Sequence, residues 1–354
     1  MIKGLLQGNR QARPLIVPIV FALGARIENL SYRAYLDNPT KISNALRQIR
    51  TQFRTDGVSC YFDSLLEAEA LGGGPEWDES NQARSIRWPE SAQKGELPAR
   101  LRSPEEAANS PRVRAAVEVI RRLNSLLRDE PLLMAGVSGP FTLAARLTGI
   151  DPGAMRQGQE PSEPALEVAA AVITKITSAL VEAGANLIFI REDVLPPLSP
   201  NKCQNWASLL APLFNIVRFF EALPVLQISG ESAAAENIEV MLQQPWDAVL
   251  CSASEEFIAR AHGHGFIKAN DVEKRRQQRY PILAFVGSKR RKVFLPNENQ
   301  IRARVHESGG NLCYGSRSGF QRQFRRFVTP THRTRIDPGK PGSEREWSRH
   351  ACHK

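Results

Sequence analysis

Residues 56–72, DGVSCYFDSLLEAEALG, contain the stretch that decides the fold. The run at 57–63, GVSCYFD, is short, mostly apolar and rich in β-branched and aromatic residues, so it predicts a buried strand that ends at Asp63. The remaining residues lead through Glu67 and Glu69 to Gly72. A strand that ends in an acidic residue, followed by more acidic residues, is a candidate site at a strand end.

Outward from this stretch, short β-rich runs alternate with longer helical ones, which favours a parallel sheet with helical crossovers. Strands are predicted at 15–22, 57–63, 132–137, 186–190, 224–229 and 247–252. Helices are predicted at 41–53, 111–128, 166–183, 204–222, 233–243 and 255–261, and 72–104 is expected to be a long irregular lid or excursion. Six strands are most of a closed (β/α)₈ barrel of the TIM type. The seventh strand is left open between 265–269 and 282–286, and the eighth is placed at 311–314.

Composition points to a soluble globular class, with 42% hydrophobic and 24% charged residues. The apolar runs at 15–23 and 185–190 are shorter than a membrane span, and the first residues lack the apolar stretch of a secretory signal. The chain is therefore expected in the cytoplasm. The five cysteines (Cys60, Cys203, Cys251, Cys313 and Cys352) show no C-x-x-C spacing, which favours small core thiols over disulfides or a metal site.

The net charge of +10 belongs to the C-terminal quarter. Residues 268–354 hold 21 Lys and Arg against 7 Asp and Glu, whereas residues 1–267 hold 26 against 30. The quarter carries no nucleic-acid motif, so a solvated basic tail is favoured over nucleic-acid binding. We expect one barrel over 1–319 and a disordered basic tail over 320–354.

Four motifs resemble the uroporphyrinogen decarboxylase family. Residues 56–72 are similar to its second-strand motif, in which an aspartate is followed by an E-A-x-G element, and Asp63 falls on the catalytic aspartate. The segment GPFTLAARLTG at 139–149 is similar to the element after the third strand. A third, weaker match is 185–200, and a fourth is PVLQISG at 224–230, where the family ends a strand in H-x-C-G or H-x-S-G.

The resemblance implies a (β/α)₈ barrel whose active site lies at the carboxyl ends of the strands. In family decarboxylases an aspartate accepts hydrogen bonds from pyrrole N–H groups and stabilises the positive charge that develops as the ring is protonated. Arginines bind the carboxylates of the substrate in bidentate fashion. No metal or organic cofactor is implied.

Three departures from the family pattern suggest a divergent substrate. The two arginines of the family's R-Q-A-G-R element correspond to Leu23 and Ile27, and Arg26 substitutes only after a one-residue shift. The family tyrosine after P-F-T-L corresponds to Arg146. A small hydroxyl residue corresponds to Asp193, beside Glu192, so the cleft is expected to be acidic and to repel a polyanion.

The first hypothesis is a lyase of tetrapyrrole metabolism, with Asp63 catalytic and Arg26, Arg146, Asp193 and Gln227 binding substrate. The alternative is methyl transfer with a corrinoid protein as partner. Zinc ligands of that branch are a His-x-Cys pair, which here reads Gln227-x-Ser229, so zinc chemistry is disfavoured. A barrel that has lost its arginines and catalysis stays open, as does a homodimer.

Overall fold

The structure is a computed structural model that describes residues 15–16, 18–78, 83–88, 95–127, 131–193, 195–197, 199–228, 248–251 and 283–284. Within these residues the strands are β1 (Leu15–Ile16), β2 (Gly57–Tyr61), β3 (Gly74–Trp77), β4 (Ala83–Arg87), β5 (Leu132–Ser138), β6 (Leu187–Glu192), β7 (Leu223–Ile228), β8 (Ala248–Cys251) and β9 (Leu283–Ala284). The helices are α1 (Leu23–Ile27), α2 (Tyr32–Leu36), α3 (Pro39–Phe53), α4 (Leu66–Ala70), α5 (Pro104–Ala108), α6 (Pro111–Leu127), α7 (Pro140–Thr148), α8 (Pro152–Arg156), α9 (Glu163–Glu182) and α10 (Pro200–Phe219).

Five strands form one parallel sheet in the order β2-β5-β6-β7-β8. Strands β2 and β5 are buried along their whole length, as expected when helices and neighbouring side chains cover both faces of a parallel sheet. All five strands run in the same direction, so their carboxyl ends share one edge. This edge is where the polar residues of the candidate site lie.

The helices begin at capping residues that the sequence supplies. Asn38 Oδ1 accepts a hydrogen bond from the backbone N–H of Lys41 at 3.1 Å, with Pro39 at the first helical position of α3. Ser199 and Pro200 start α10 in the same way. Helix α9 is long and apolar enough to cross a membrane by length and composition, but half of that stretch is buried, and it packs against α5, α7 and α10. Burial of this kind is also typical of a core helix.

The mixed α/β class with a parallel sheet is confirmed, and the predicted strands at 57–63, 132–137, 186–190, 224–229 and 247–252 match observed ones within two residues. The first strand is much shorter than predicted: β1 ends at Ile16, and a turn at 21–22 leads into α1. Residues Leu283–Ala284, inside the alternative 282–286, pair in parallel with β1. The predicted elements at 233–243, 255–261, 265–269 and 311–314, and the tail at 320–354, lie outside the described residues.

The expectation of an irregular segment over 72–104 was wrong in part. Strands β3 and β4 form an antiparallel hairpin there, and Glu76 pairs across it with Arg87 at 2.5 Å and accepts a hydrogen bond from Ser85. Strand β3 contains Pro75, which argues against a strand in sequence, and the apolar residues that pack against the core here, such as Ile86 and Trp88, are too few to form a predictive run.

Candidate functional site

Asp63 lies two residues beyond the end of β2 and is 3% exposed. Its Oδ1 atom accepts a long hydrogen bond from the backbone N–H of Leu65 at 3.4 Å. Its Oδ2 atom lies 3.2 Å from Nη1 of Arg112 but receives no well-directed hydrogen bond from the described residues. The carboxylate is therefore shielded from water, paired with a cation, and still able to accept a hydrogen bond at one oxygen.

Arg112 is the cation that holds Asp63 in place. It lies in the first turn of α6, is 4% exposed, and forms ion pairs with Glu69 and, at 3.7 Å, with Asp37. Its guanidinium also lies over the ring of Trp77 on β3, 5.6 Å from the ring centre. The site thus includes one arginine surrounded by three carboxylates, one of which is Asp63.

Sequence reasoning missed Arg112, which is 49 positions from Asp63. One signal was available in the sequence: Arg112 directly follows the proline that starts a helix, and a cation there opposes the helix dipole because the N-terminus already carries partial positive charge. A cation at that position needs compensating anions, and the structure supplies them.

Tyr32 begins α2 and is influenced by the charges of Asp63 and Arg112 and by that of Arg191 on β6. Its pKa is raised, first by burial and then by the negative charge of Asp63, while the positive charges of Arg112 and Arg191 lower it. The phenol keeps its proton near neutral pH and can donate a hydrogen bond.

Glu67, in the helix that follows Asp63, holds that helix against the end of β5. Glu67 is fully buried and accepts hydrogen bonds from the backbone N–H and hydroxyl of Ser138, at 3.0 and 2.8 Å, so it ties α4 to the end of β5. Burial raises the pKa of Glu67, and the two bonds from Ser138 oppose that shift. Gly72 follows α4 at a φ of 114°, a conformation that favours glycine.

Glu192, at the end of β6, caps α7 from a distance of about fifty residues in sequence. Its carboxylate accepts hydrogen bonds from the backbone N–H groups of Phe141 and Thr142, from the Thr142 hydroxyl and from Nε1 of Trp206, at 2.7 to 3.2 Å. A buried anion at a helix N-terminus is stabilised by the helix dipole. Burial nevertheless raises the pKa of Glu192 to about 7, and these four donors oppose the shift.

The segment GPFTL is thus explained by packing around Glu192. A Cβ atom on Gly139 would lie 2.2 Å from Cδ of Glu192, so no larger residue fits while the carboxylate stays on the helix. Pro140 occupies the first helical position, where a missing N–H costs nothing.

Arg146 and Asp193, two predicted site residues, are brought together. Nη2 of Arg146 donates to Oδ2 of Asp193 at 2.6 Å, and Nη1 donates to the Ser138 hydroxyl at 2.8 Å. Arg191 lies 3.7 Å from the other Asp193 oxygen. The acidic residues of this edge are each held by partners: Asp63 and Asp193 each have an arginine partner, and Glu192 accepts from four donors.

The other two predicted residues are placed apart from these pairs. Arg26 is exposed on α1, and the arginine in contact with Asp63 is Arg112 instead. Gln227 lies on β7 directly beside Arg191 of β6, and its buried Oε1 has no hydrogen-bond partner among the described residues. Cys60 and Cys203 are buried core thiols, as predicted, and burial raises the pKa of each, to about 12 and about 11.

The fold and this edge define an α/β protein with a charged, largely buried site at the carboxyl ends of parallel strands. A family model described as Uroporphyrinogen decarboxylase (URO-D) matches residues 4–227, well over half of the chain. The chain belongs to this family. No curated protein matches the sequence closely enough to count as a relative.

Solved structures support the fold. A methyltransferase from Methanosarcina mazei superimposes with a TM-score of 0.60 at 18% sequence identity, over 86% of this chain and 88% of that chain. At this identity the likeness concerns the fold.

Proposed function

We propose that this chain is a decarboxylase-like enzyme that removes a carboxylate from an acetate side chain of a pyrrole, with Asp63 as the catalytic carboxylate. The observation that carries the proposal is Asp63 itself, 3% exposed at the carboxyl edge, with an Oδ2 atom that lacks a directed donor among the described residues. A pyrrole N–H is a donor of the kind that atom lacks. The proposal includes closure of residues 1–319 into a (β/α)₈ barrel in the cytoplasm, with 320–354 as a tail.

The chemistry follows from the low dielectric around the carboxylate. Protonation of a pyrrole carbon makes the ring cationic before carbon dioxide leaves, and a fixed anion stabilises that cation more strongly where water is excluded. Arg112 has two other carboxylate partners, Glu69 and Asp37, so it positions Asp63 without cancelling the charge of the cluster. The net negative charge around Arg112 suits a substrate that becomes cationic.

Substrate carboxylates would meet the arginines of the same edge. In the proposal Arg146 binds one of them in competition with Asp193, Gln227 contacts the ring from β7, and Arg26 contributes from the exposed helix α1. A residue already paired within the protein can exchange its partner when the incoming anion makes equivalent bidentate contacts.

The test is anaerobic incubation of the purified full chain with uroporphyrinogen, followed by separation of products according to carboxylate number. Asp63→Asn removes the charge but keeps the shape, and we expect it to lower kcat/KM by at least about 100-fold. Arg112 retains Glu69 in that variant, so the fold is expected to persist, which circular dichroism would check. The matched control is Glu105→Gln, an exposed carboxylate that pairs with Lys175. Equal activity of Asp63→Asn and wild type would refute the catalytic role.

Corrinoid-dependent methyl transfer is the second candidate, favoured by the similarity in fold to the Methanosarcina methyltransferase. In that case the partner is a methylated corrinoid protein, and loss of the methyl group changes the visible absorbance of the corrinoid. Demethylation without any product from uroporphyrinogen would select this function. Absence of both activities would favour a barrel that binds without catalysis.

A further inference from the structure

Arg191, on β6, leaves the sheet on the face opposite to that of Glu192. Side chains of a strand alternate between faces, and the next residue, Glu192, contacts Trp206 of α10 and the start of α7. Arg191 therefore points to the opposite face. A Cβ atom on Gly136 would lie 3.2 Å from Cδ of Arg191 and 2.7 Å from the ring of Phe62, so the arginine stem and this ring share the space that glycine leaves.

Of the three arginines near the site, Arg191 makes the fewest close contacts with carboxylates and hydroxyls among the described residues. Arg112 pairs closely with Asp63 and Glu69, and Arg146 donates to Ser138 and Asp193. Among the described residues, the one ion pair of Arg191 is with Asp193 at 3.7 Å, beyond hydrogen-bond distance. A guanidinium carries five N–H donors in a fork that matches a carboxylate. Its side chain is 20% exposed, so a ligand can reach it.

Gln227 supplies a second polar group at the same place. It lies opposite Arg191 in the parallel register, so both side chains leave the sheet on one face. Its Oε1 atom is buried without a donor within the described part of the chain, and leaving a buried acceptor unpaired costs about 1–3 kcal/mol. A ligand that carries an N–H group next to a carboxylate would satisfy Gln227 and Arg191 together.

Aromatic rings form the floor beside these two residues. Phe62 and Phe189 pack with their ring centres 5.6 Å apart, next to the stem of Arg191. Apolar surface beside a guanidinium and an amide is what a flat ring with an acidic side chain requires.

We propose that Arg191 and Gln227 form a carboxylate subsite for the acidic side chain of a pyrrolic ring. Arg191 binds the carboxylate and Gln227 accepts from the ring N–H. The identity of the ring rests on the proposed function, whereas the carboxylate specificity of Arg191 does not.

The experiment uses benzenehexacarboxylate, a planar aromatic polyanion that is not a tetrapyrrole, titrated into the full chain by calorimetry. Arg191→Met keeps the apolar stem and removes the charge, and we expect it to weaken binding about 10- to 100-fold. Arg191→Lys keeps the positive charge but lacks the planar guanidinium, so it is expected to lose less affinity than Arg191→Met. If Arg191→Met does not fold, the affinity of Arg191→Lys relative to wild type serves as the test. The control is Arg47→Met, an exposed arginine on α3, with unchanged affinity expected.

Each result separates this subsite from the proposed reaction. Binding that Arg191→Met leaves unchanged, or no binding to the wild type, overturns the subsite. If binding depends on Arg191 but the protein does not turn over uroporphyrinogen, the subsite is supported and the proposed decarboxylase activity is refuted. If turnover depends on Asp63 but Arg191→Met does not alter the KM, the subsite is refuted and the proposed reaction is not.

Discussion

Gly139→Ala is expected to separate Glu192 from the start of α7 without straining the backbone. The φ of −80° and ψ of 164° at Gly139 are open to alanine, so the substitution carries no conformational penalty. Its Cβ would stand 2.2 Å from Cδ and 2.4 Å from Oε1 of Glu192, well inside contact distance. The carboxylate must therefore move.

The cost of this movement follows from the hydrogen bonds that hold the carboxylate. Glu192 is 0% exposed and accepts from three groups at the start of α7 and from Trp206. A hydrogen bond to a charged group contributes about 1.5–3 kcal/mol, and leaving a buried charge without its partner costs about 3–5 kcal/mol. We expect the free energy of unfolding to fall by about 3 kcal/mol, because part of the set can re-form after a shift.

The assay is urea unfolding followed by tryptophan fluorescence at pH 8, where Glu192 is mostly ionised. Gly139→Ala, Glu192→Ala and the double variant form a cycle, in which the alanine at 139 should cost little once the carboxylate is gone. Gly74→Ala is the matched control, because its Cβ would meet the Arg87 carbonyl oxygen at an ordinary 3.5 Å. Strictly additive costs, or an unchanged midpoint for Gly139→Ala, would refute the steric explanation.

Two further predictions concern stability. The folded pKa of Glu192, about 7, lies above its ordinary 4.5, so between these values the folded chain keeps a proton that the unfolded chain has released, and stability falls as pH rises through that window. The glutamine of Glu192→Gln does not titrate, so the stability of this variant should not change in that window. The difference in free energy of unfolding between wild type and Glu192→Gln should therefore become about 1–3 kcal/mol smaller from pH 5 to pH 7 in urea titrations. A difference that stays constant with pH would contradict the raised pKa. Gly72→Ala should lower the free energy of unfolding by about 1–3 kcal/mol through backbone strain alone, because its φ is 114° and a Cβ there meets no atom within 4 Å. A melting temperature equal to wild type would show that the loop relaxes.

Strands β5, β6 and β7 were predictable because each contains a short apolar run, and long helices separate one run from the next. The composition of each run and the spacing of its apolar residues are enough to predict a strand. The bounds of β5, β6 and β7 were therefore predicted to within two residues. The hairpin β3–β4 was not predicted, since its strands are short, include Pro75 and gain stability from pairing with each other.

By itself, the sequence determined the alternation of strands and helices and the position of Asp63 at a strand end, since both depend on residues adjacent in the chain. Tertiary structure alone decided what that carboxylate meets. Arg112 reaches Asp63 from 49 positions away, Glu192 caps α7 from the next strand, and Arg191 leaves the sheet on the other face from Glu192. Charged groups that are far apart in the sequence interact only when the fold brings them close, and the packing of the sheet and helices determines those distances.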